Sequence, residues 1–294
     1  MKEKISVISV LYYSEHLISP LVKNIKFYLG RYLDKIILIN NSKDDLSHIK
    51  INKVQIYQMK KNLGYGAAIN FAFNKIDSHF MLIMNPDNFI TKFEINLNEL
   101  KENIYTGIRN NNFFYDKFPS MPHDTLKYLS FKTFGVFKNQ INYLKPRIQV
   151  NQNESNIIDW VYGDFMLMSV KVFKEIKGFD ENFFLFYEET DFCRRALDKN
   201  IKSISLDRIY YETCNFKSSI RNVDLIKIRS EIESFKYYHL KYSNYFVFLF
   251  CAHLLKIFFT LGFILTYFLK FLFKPLIKPN NIFLTRLNSL NNKL

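Results

Sequence analysis

Residues 80–87 read Phe-Met-Leu-Ile-Met-Asn-Pro-Asp, five apolar side chains closed by an amide, a proline and a carboxylate. A short, continuously apolar run bounded by turn residues predicts a strand buried on both faces, as in a parallel sheet covered by helices. The polar tripeptide then falls in a loop beyond the strand's C-terminal end, where open parallel sheets bind ligands. The same unit recurs upstream. Residues 4–11 are rich in β-branched side chains, residues 35–39 (Lys-Ile-Ile-Leu-Ile) run into the polar turn Asn40-Asn-Ser-Lys-Asp-Asp45, and residues 54–58 form a further strand. Between these, one helix is expected with Ser19 as N-cap, Pro20 at its first position and Gly30 closing it, and another over residues 65–75. Strands alternating with helices predict an α/β domain with a Rossmann-like, mainly parallel sheet.

Downstream the pattern weakens. Residues 105–155 are rich in Asn, Lys and aromatic side chains and receive no element. Residues 157–161 suit a strand, Gly163-Asp164 precedes what reads as an apolar helix, and a helix is expected over residues 169–177 with Gly178 in the following turn. An aromatic and acidic run, residues 183–191, leads into a helix to about residue 199, then a strand over 201–206 and a charged helix over 224–242.

Composition narrows the classes. Nearly half of the 294 residues are apolar (48%), which excludes a disordered tail protein. A chain of this length can bury one substantial core and carry an appendage. The formal charge of +14 attracts polyanions. Its lysines crowd into an apolar C-terminal region, however, whereas nucleic-acid binding would place basic and aromatic residues together on the folded domain, so no nucleic-acid partner is expected. Cys193, Cys214 and Cys251 are odd in number and widely spaced, which fits neither a disulfide framework nor a zinc site and points to a reducing compartment. The apolar run at the N-terminus is too short for a signal peptide.

From residue 245 to 269 only His253 and Lys256 are strongly polar, enough length to span a bilayer. Lys256, Lys270, Lys274 and Lys278 fall within about 80° of one another at roughly 100° per residue, the basic stripe of a helix lying in the membrane interface. In-plane attachment to a membrane surface through residues 245–278 is therefore expected, with a spanning segment or a homo-oligomer contact as alternatives. The division expected is 1–222 for the α/β domain and 223–294 for the helical membrane-association region.

Four polar clusters sit where chemistry could occur. Asn40, Asn41 and Ser42, with Asp44 and Asp45, could read a nucleotide base or ribose, or form an ordinary polar turn. In Asn62-Leu-Gly-Tyr-Gly-Ala-Ala-Ile-Asn70, Gly64 and Gly66 open a helix whose N-terminal amides could meet a phosphate, or simply make the turn. Asn85 and Asp87 could hold Mg²⁺ or Mn²⁺, ions that favour oxygen ligands and keep several waters. Finally, Asp164, Asp180, Glu181, Glu188, Glu189 and Asp191 lie among Phe, Leu and Tyr. Desolvation raises the pKa of such carboxylates and suits one to act as a general base; Asp191 could equally pair with Arg194 or Arg195 and cap its helix.

In order and spacing, these motifs together resemble family 2 of the inverting glycosyltransferases, in particular rhamnosyltransferase-like members that build O-antigens and capsules. The matching residues are Leu38-Ile-Asn-Asn-Ser42, the 62–70 segment, Met84-Asn-Pro-Asp87, and residues 160–168 through 178–195, including Phe183-Phe-Leu-Phe-Tyr-Glu-Glu-Thr-Asp191. The resemblance implies a GT-A fold over about residues 4–240 and a nucleotide-diphosphate sugar donor. Asn40, Asn41, Asn62, Gly64, Asn70, Asn85 and Asp87 would lie on the donor side, with Asp87 and Asn85 at the metal ion. Glu189, with Asp191 beside it, would supply the catalytic base, and Asp164, Asp180 and Glu188 would face the acceptor. That acceptor is expected to be a lipid-linked glycan at the cytoplasmic face of the bacterial inner membrane. Asn40 and Glu189 each stand where the family usually has Asp. Tyr210-Tyr-Glu212 occupies a region where the family often has a histidine, which leaves a non-catalytic nucleotide-sugar-binding subunit as the alternative.

Overall fold

The computed structural model describes residues 3–129, 147–151, 154–214, 224–272 and 282–291, which form two compact units. The first holds eleven strands: β1 (Ile5–Leu11), β2 (Leu33–Asn40), β3 (Val54–Gln58), β4 (Phe80–Met84), β5 (Asn88–Phe93), β6 (Ile104–Arg109), β7 (Phe114–Asp116), β8 (Arg147–Gln149), β9 (Asn156–Ile158), β10 (Phe165–Ser169) and β11 (Ser203–Thr213). It also holds helices α1 (Ile18–Leu29), α2 (Tyr65–Phe73), α4 (Val170–Ile176) and α5 (Glu188–Leu197). Helices α3 (Met121–Leu129), α6 (Asp224–Tyr242), α7 (Tyr245–Leu272) and α8 (Ile282–Asn291) make the second unit.

The main sheet has the order β3-β2-β1-β4-β10-β6-β11-β5, with β9 on β11. β1, β2, β3 and β4 run parallel, as do β6 and β11, whereas β10 is antiparallel to both of its neighbours. This is a mixed, mostly parallel, Rossmann-like sheet of the GT-A type. Ile5, Val7, Ile36, Leu38, Leu82 and Leu167 pack one of its faces against Leu21, Val22 and Ile25 of α1. Burial on both faces explains why the strands read as unbroken apolar runs.

Two local expectations are corrected. Helix α1 begins at Ile18 after a 3-10 turn, with no side-chain cap, so Ser19 and Pro20 lie inside its first turn. Proline is tolerated there because first-turn N–H groups have no partner within the helix. Gly30 does end it, at φ 29°. The apolar run after Gly163-Asp164 is β10, a strand rather than a helix. A fully buried strand lacks the alternation that would distinguish it. The helix expected after it does form, capped by the Ser169 hydroxyl on the Val172 N–H.

Gly64 turns β3 into α2 at φ 84°, ψ −178°, a region open essentially to glycine alone. A Cβ there would lie 2.3 Å from the Phe184 carbonyl oxygen, which already accepts from the Tyr65 N–H at 2.9 Å. Backbone strain alone costs about 1–3 kcal/mol. Gly64→Ala is therefore expected to lower the melting temperature by several degrees, and thermal unfolding at an unchanged temperature would show that this approach can relax.

The second unit packs Ile232, Phe235, Phe248, Leu255, Phe259 and Leu290 into its own core. Within it, fully buried His239 places Nε2 3.0 Å from the Asp124 carboxylate, which also accepts from the Tyr187 hydroxyl at 2.7 Å. Mutual hydrogen bonds of this kind keep buried polar groups tolerable.

Candidate active site

Three segments meet beyond the C-terminal end of β4. The Asn85 N–H and the Asn88 side-chain amide both donate to the carbonyl of Asp164, at 3.0 and 2.8 Å. The Thr213 hydroxyl donates to Asn88 Oδ1 at 2.9 Å, and the Cys214 N–H to the Asp87 carbonyl at 2.8 Å. The loop carrying Asp87 is thus tied to the loop carrying Asp164 and to the end of β11.

At the centre stands Tyr65, the first residue of α2. Its hydroxyl lies 2.6 Å from the Gly163 carbonyl oxygen and 3.0 Å from Asn85 Oδ1. Burial raises its pKa well above the usual value, and the charges of Glu188, Asp164, Glu189 and Asp87 add to this in that order. The charges of four carboxylates thus act on one phenol. Gly163 is needed for the approach, since a Cβ there would come within 3.2 Å of the Tyr65 ring and 3.7 Å of the Glu189 Cβ.

Glu188 and Glu189 open α5, where the helix N-terminus favours negative charge. Each nevertheless has a buried Oε2 with no hydrogen-bond partner among the described residues. Burial, then the charge of Glu189, pushes the Glu188 carboxyl well above its ordinary range. Burial likewise takes Glu189 up to about 7, restrained by the backbone N–H groups of Glu189 and Gly163 and reinforced by Asp164. Asp164 receives Arg109 Nη1 at 2.6 Å on one oxygen and the Tyr211 hydroxyl at 3.0 Å on the other. Tyr65, Arg109 and Tyr211 were not singled out from the sequence. Tyr65 sat inside the glycine motif, Arg109 in a stretch without assigned structure, and Tyr211 where a histidine was sought.

The asparagines make hydrogen bonds within the chain. Asn40 is wholly buried: its Nδ2 donates to the Asp44 carbonyl and Gln58 Oε1, and its Oδ1 accepts from the Ser42 N–H and hydroxyl. Asn41 braces the Gly64 carbonyl at 3.0 Å, Asn62 receives the Gly64 N–H at 2.9 Å, and Asn70 spans to Phe179 and Glu181. These side chains hold the turns in place. Asp180 accepts from the backbone and side chain of Asn182. Asp191 forms the pairing foreseen as its alternative, 2.7 Å from Arg195 Nε, which in turn grips the Ile176 and Gly178 carbonyls. A fully buried, paired carboxylate anchors α5 and is not placed to take a substrate proton.

Does the cluster suit Mg²⁺ or Mn²⁺? Among the described residues no three His, Cys, Asp or Glu side chains form a complete cage. Hydrated Mg²⁺ or Mn²⁺ needs only one or two protein oxygens, with substrate phosphates completing its shell. A site with four carboxylates, the buried Oε2 atoms of Glu188 and Glu189 among them, and one contacting arginine has the negative charge such an ion would balance. The residues fit to that extent: Asp87 and Asn85 share the loop after β4 and could supply one or two oxygens.

The model of the family described as Glycosyl transferase family 2 matches residues 6–177. The low-salt glycan biosynthesis hexosyltransferase Agl10 of Haloferax volcanii is 25% identical over 218 residues, which cover 68% of this chain and 64% of that protein. Among solved structures, GalNAc-T7 with UDP, GalNAc and Mn²⁺ aligns at a TM-score of 0.57 and 8% identity, over 79% of this chain and 47% of that one. The mannosyltransferase PcManGT from Pyrobaculum calidifontis, in complex with GDP-Man and Mn²⁺, aligns at 0.50 and 10% identity, over 99% of this chain and 84% of that one. At such identities these two likenesses speak to the fold. The family match extends from β1 through α4 and takes in the loops that carry Asp87 and Asp164. The chain belongs to glycosyltransferase family 2.

Proposed function

We propose that the chain transfers a hexose or rhamnose, with inversion, from a nucleotide-diphosphate sugar to a hydroxyl of a lipid-linked glycan. The setting would be surface-polysaccharide assembly at the cytoplasmic face of the membrane. The observation that carries the catalytic part is the meeting of the Asn85–Asp87 loop with Gly163-Asp164 through the Tyr65 hydroxyl, with Glu189 beside Gly163. The curated hexosyltransferase relative favours a hexose, and the apolar tail favours a lipid-borne acceptor.

In this mechanism Glu189 accepts the proton of the acceptor hydroxyl. The freed oxygen forms a bond to the anomeric carbon as the bond from that carbon to the diphosphate oxygen breaks, in line and on the opposite face, so the configuration inverts. Asp87 and Asn85 would hold Mg²⁺ or Mn²⁺, which when bound neutralises charge on the diphosphate. Arg109 and Tyr211 fix Asp164, and Tyr65 fixes the Asn85 and Gly163 loops, so the carboxylates are positioned before substrate arrives.

Incubating the full chain with a panel of nucleotide-sugars and a lipid-linked oligosaccharide, and reading the product anomer by NMR, tests this. A retained configuration, or donor binding without any transfer, overturns it. A base must be ionised to act, and burial holds Glu189 near 7. Turnover is therefore expected to rise with pH along a limb centred near 7 rather than in the ordinary carboxylate range. The value belongs jointly to the Glu188–Glu189 pair. A pH–rate profile already flat at pH 5 would remove Glu189 from this role.

A further inference from the structure

Helix α7 is two-faced in an unusual way. Phe248, Cys251, Ala252, Leu255 and Phe259 are buried in the second unit's core. The other apolar side is uncovered: Phe246, Phe250, Ile257, Leu261 and Ile264 are 78%, 66%, 59%, 60% and 57% exposed. Their spacings of four, seven, four and three residues are all close to whole turns of helix, which lines them along one stripe. Isolated apolar side chains on a surface need no explanation, but a continuous stripe marks a contact.

The margin of the stripe is polar in a specific manner. His253 brings Nδ1 within 2.7 Å of the Leu249 carbonyl, and the Thr260 hydroxyl donates to the Lys256 carbonyl at 2.8 Å. Both turn back onto their own helix, which leaves little polar demand beside the stripe. Lys256 stands at the same margin, near Lys236 of α6, whose pKa is lowered by burial and next by the Lys256 charge.

From this geometry we propose that the uncovered stripe of α7 docks in the plane of an anionic lipid bilayer, with Lys256 at the phosphate headgroups. Helix α7 is the one described helix long and apolar enough to cross a bilayer, over Tyr245–Ile264. Yet its opposite face is packed, through Ile232 and Phe235, on α6. That helix carries Lys227, Arg229, Glu233 and Lys241, and hydrocarbon would not accept it. One face held by a charged helix and one face bare suits a helix lying at the interface, its apolar side sunk roughly 5–10 Å. The inference is independent of the reaction proposed above.

The test is flotation of the full chain with vesicles of phosphatidylcholine alone or mixed with phosphatidylglycerol. Binding is expected with the mixed vesicles and little with the neutral ones. The pair F250S and I257S, both at exposed positions and so harmless to the core, should weaken it more than tenfold, since burying one such side chain is worth about 1.5–3 kcal/mol. Lys256→Glu should weaken binding too, and salt should mimic it. Unchanged flotation of the double variant overturns the proposal, as does a double variant that instead turns a dimer into a monomer, which would make a second copy the occupant. Depth decides orientation. Tryptophans placed singly by F250W and I264W should be quenched by brominated lipids at equal shallow depth; a difference approaching about 21 Å, fourteen residues of helix, means that α7 spans.

Discussion

Glu189→Gln is expected to reduce turnover by about 10²–10⁴, the usual contribution of a general base, while a thermal-shift titration still reports donor binding. Glutamine keeps the shape of the side chain and can accept the same backbone N–H groups, but it cannot take up the acceptor's proton. The variant also separates chemistry from folding. Wild-type Glu189 holds its charge against burial and against Asp164. Removing that charge relieves repulsion among neighbouring carboxylates. The folded pKa lies above that of the unfolded chain, so the stability the group contributes is present below about 4.5 and lost as pH rises through about 7. At pH 8 the glutamine variant should therefore melt no lower than wild type, and the gap should narrow in acid. An inactive variant that melts much lower would indicate misfolding and leave the base unassigned; a stable variant with undiminished turnover would eliminate Glu189.

The half of the sheet formed by β1 to β4 was legible because β4 and residues 36–39 of β2 are unbroken apolar runs, β1 is rich in β-branched side chains, and polar loops follow. Beyond residue 104 the sequence spoke less clearly. β6 contains Tyr105, Thr106 and Gly107 and its partners lie far along the chain, at β10 and β11, so no local pattern announces it. β10 was mistaken for a helix because an apolar run buried between two strands has no period. In the site, the acids stand out in the sequence because charge among aromatics is conspicuous. An amide beyond a strand end can read a ligand or brace a turn, and Asn40, Asn41 and Asn70 each make a bracing hydrogen bond that sequence alone does not reveal. Tyr65 escaped notice for the opposite reason. A tyrosine opening a helix looks like packing until its hydroxyl is seen between Asn85 and Gly163.

Asp87→Ala should fail in a different way from Glu189→Gln. In wild type, a ligand that binds only the folded chain raises its stability by RT ln(1 + [L]/Kd), so a nucleotide-sugar with Mn²⁺ should raise the melting temperature more than either alone. That synergy arises if the cation is shared between the protein carboxylate and the diphosphate, and Asp87 sits at the end of β4 where such sharing is feasible. Alanine removes the carboxylate but leaves the backbone bond from the Cys214 N–H to the residue 87 carbonyl, so the loop should persist. The increment from Mn²⁺ should vanish, and donor affinity measured with the metal present should fall by at least about 10–100-fold, the scale of altering even the outer shell of a metal site. Turnover falls with it, but binding is the discriminating readout, since Glu189→Gln leaves binding in place. A variant that keeps the full Mn²⁺-dependent shift moves the cation away from Asp87. The Oε2 atoms of Glu188 and Glu189, buried and without a hydrogen-bond partner among the described residues, are then the next place to look.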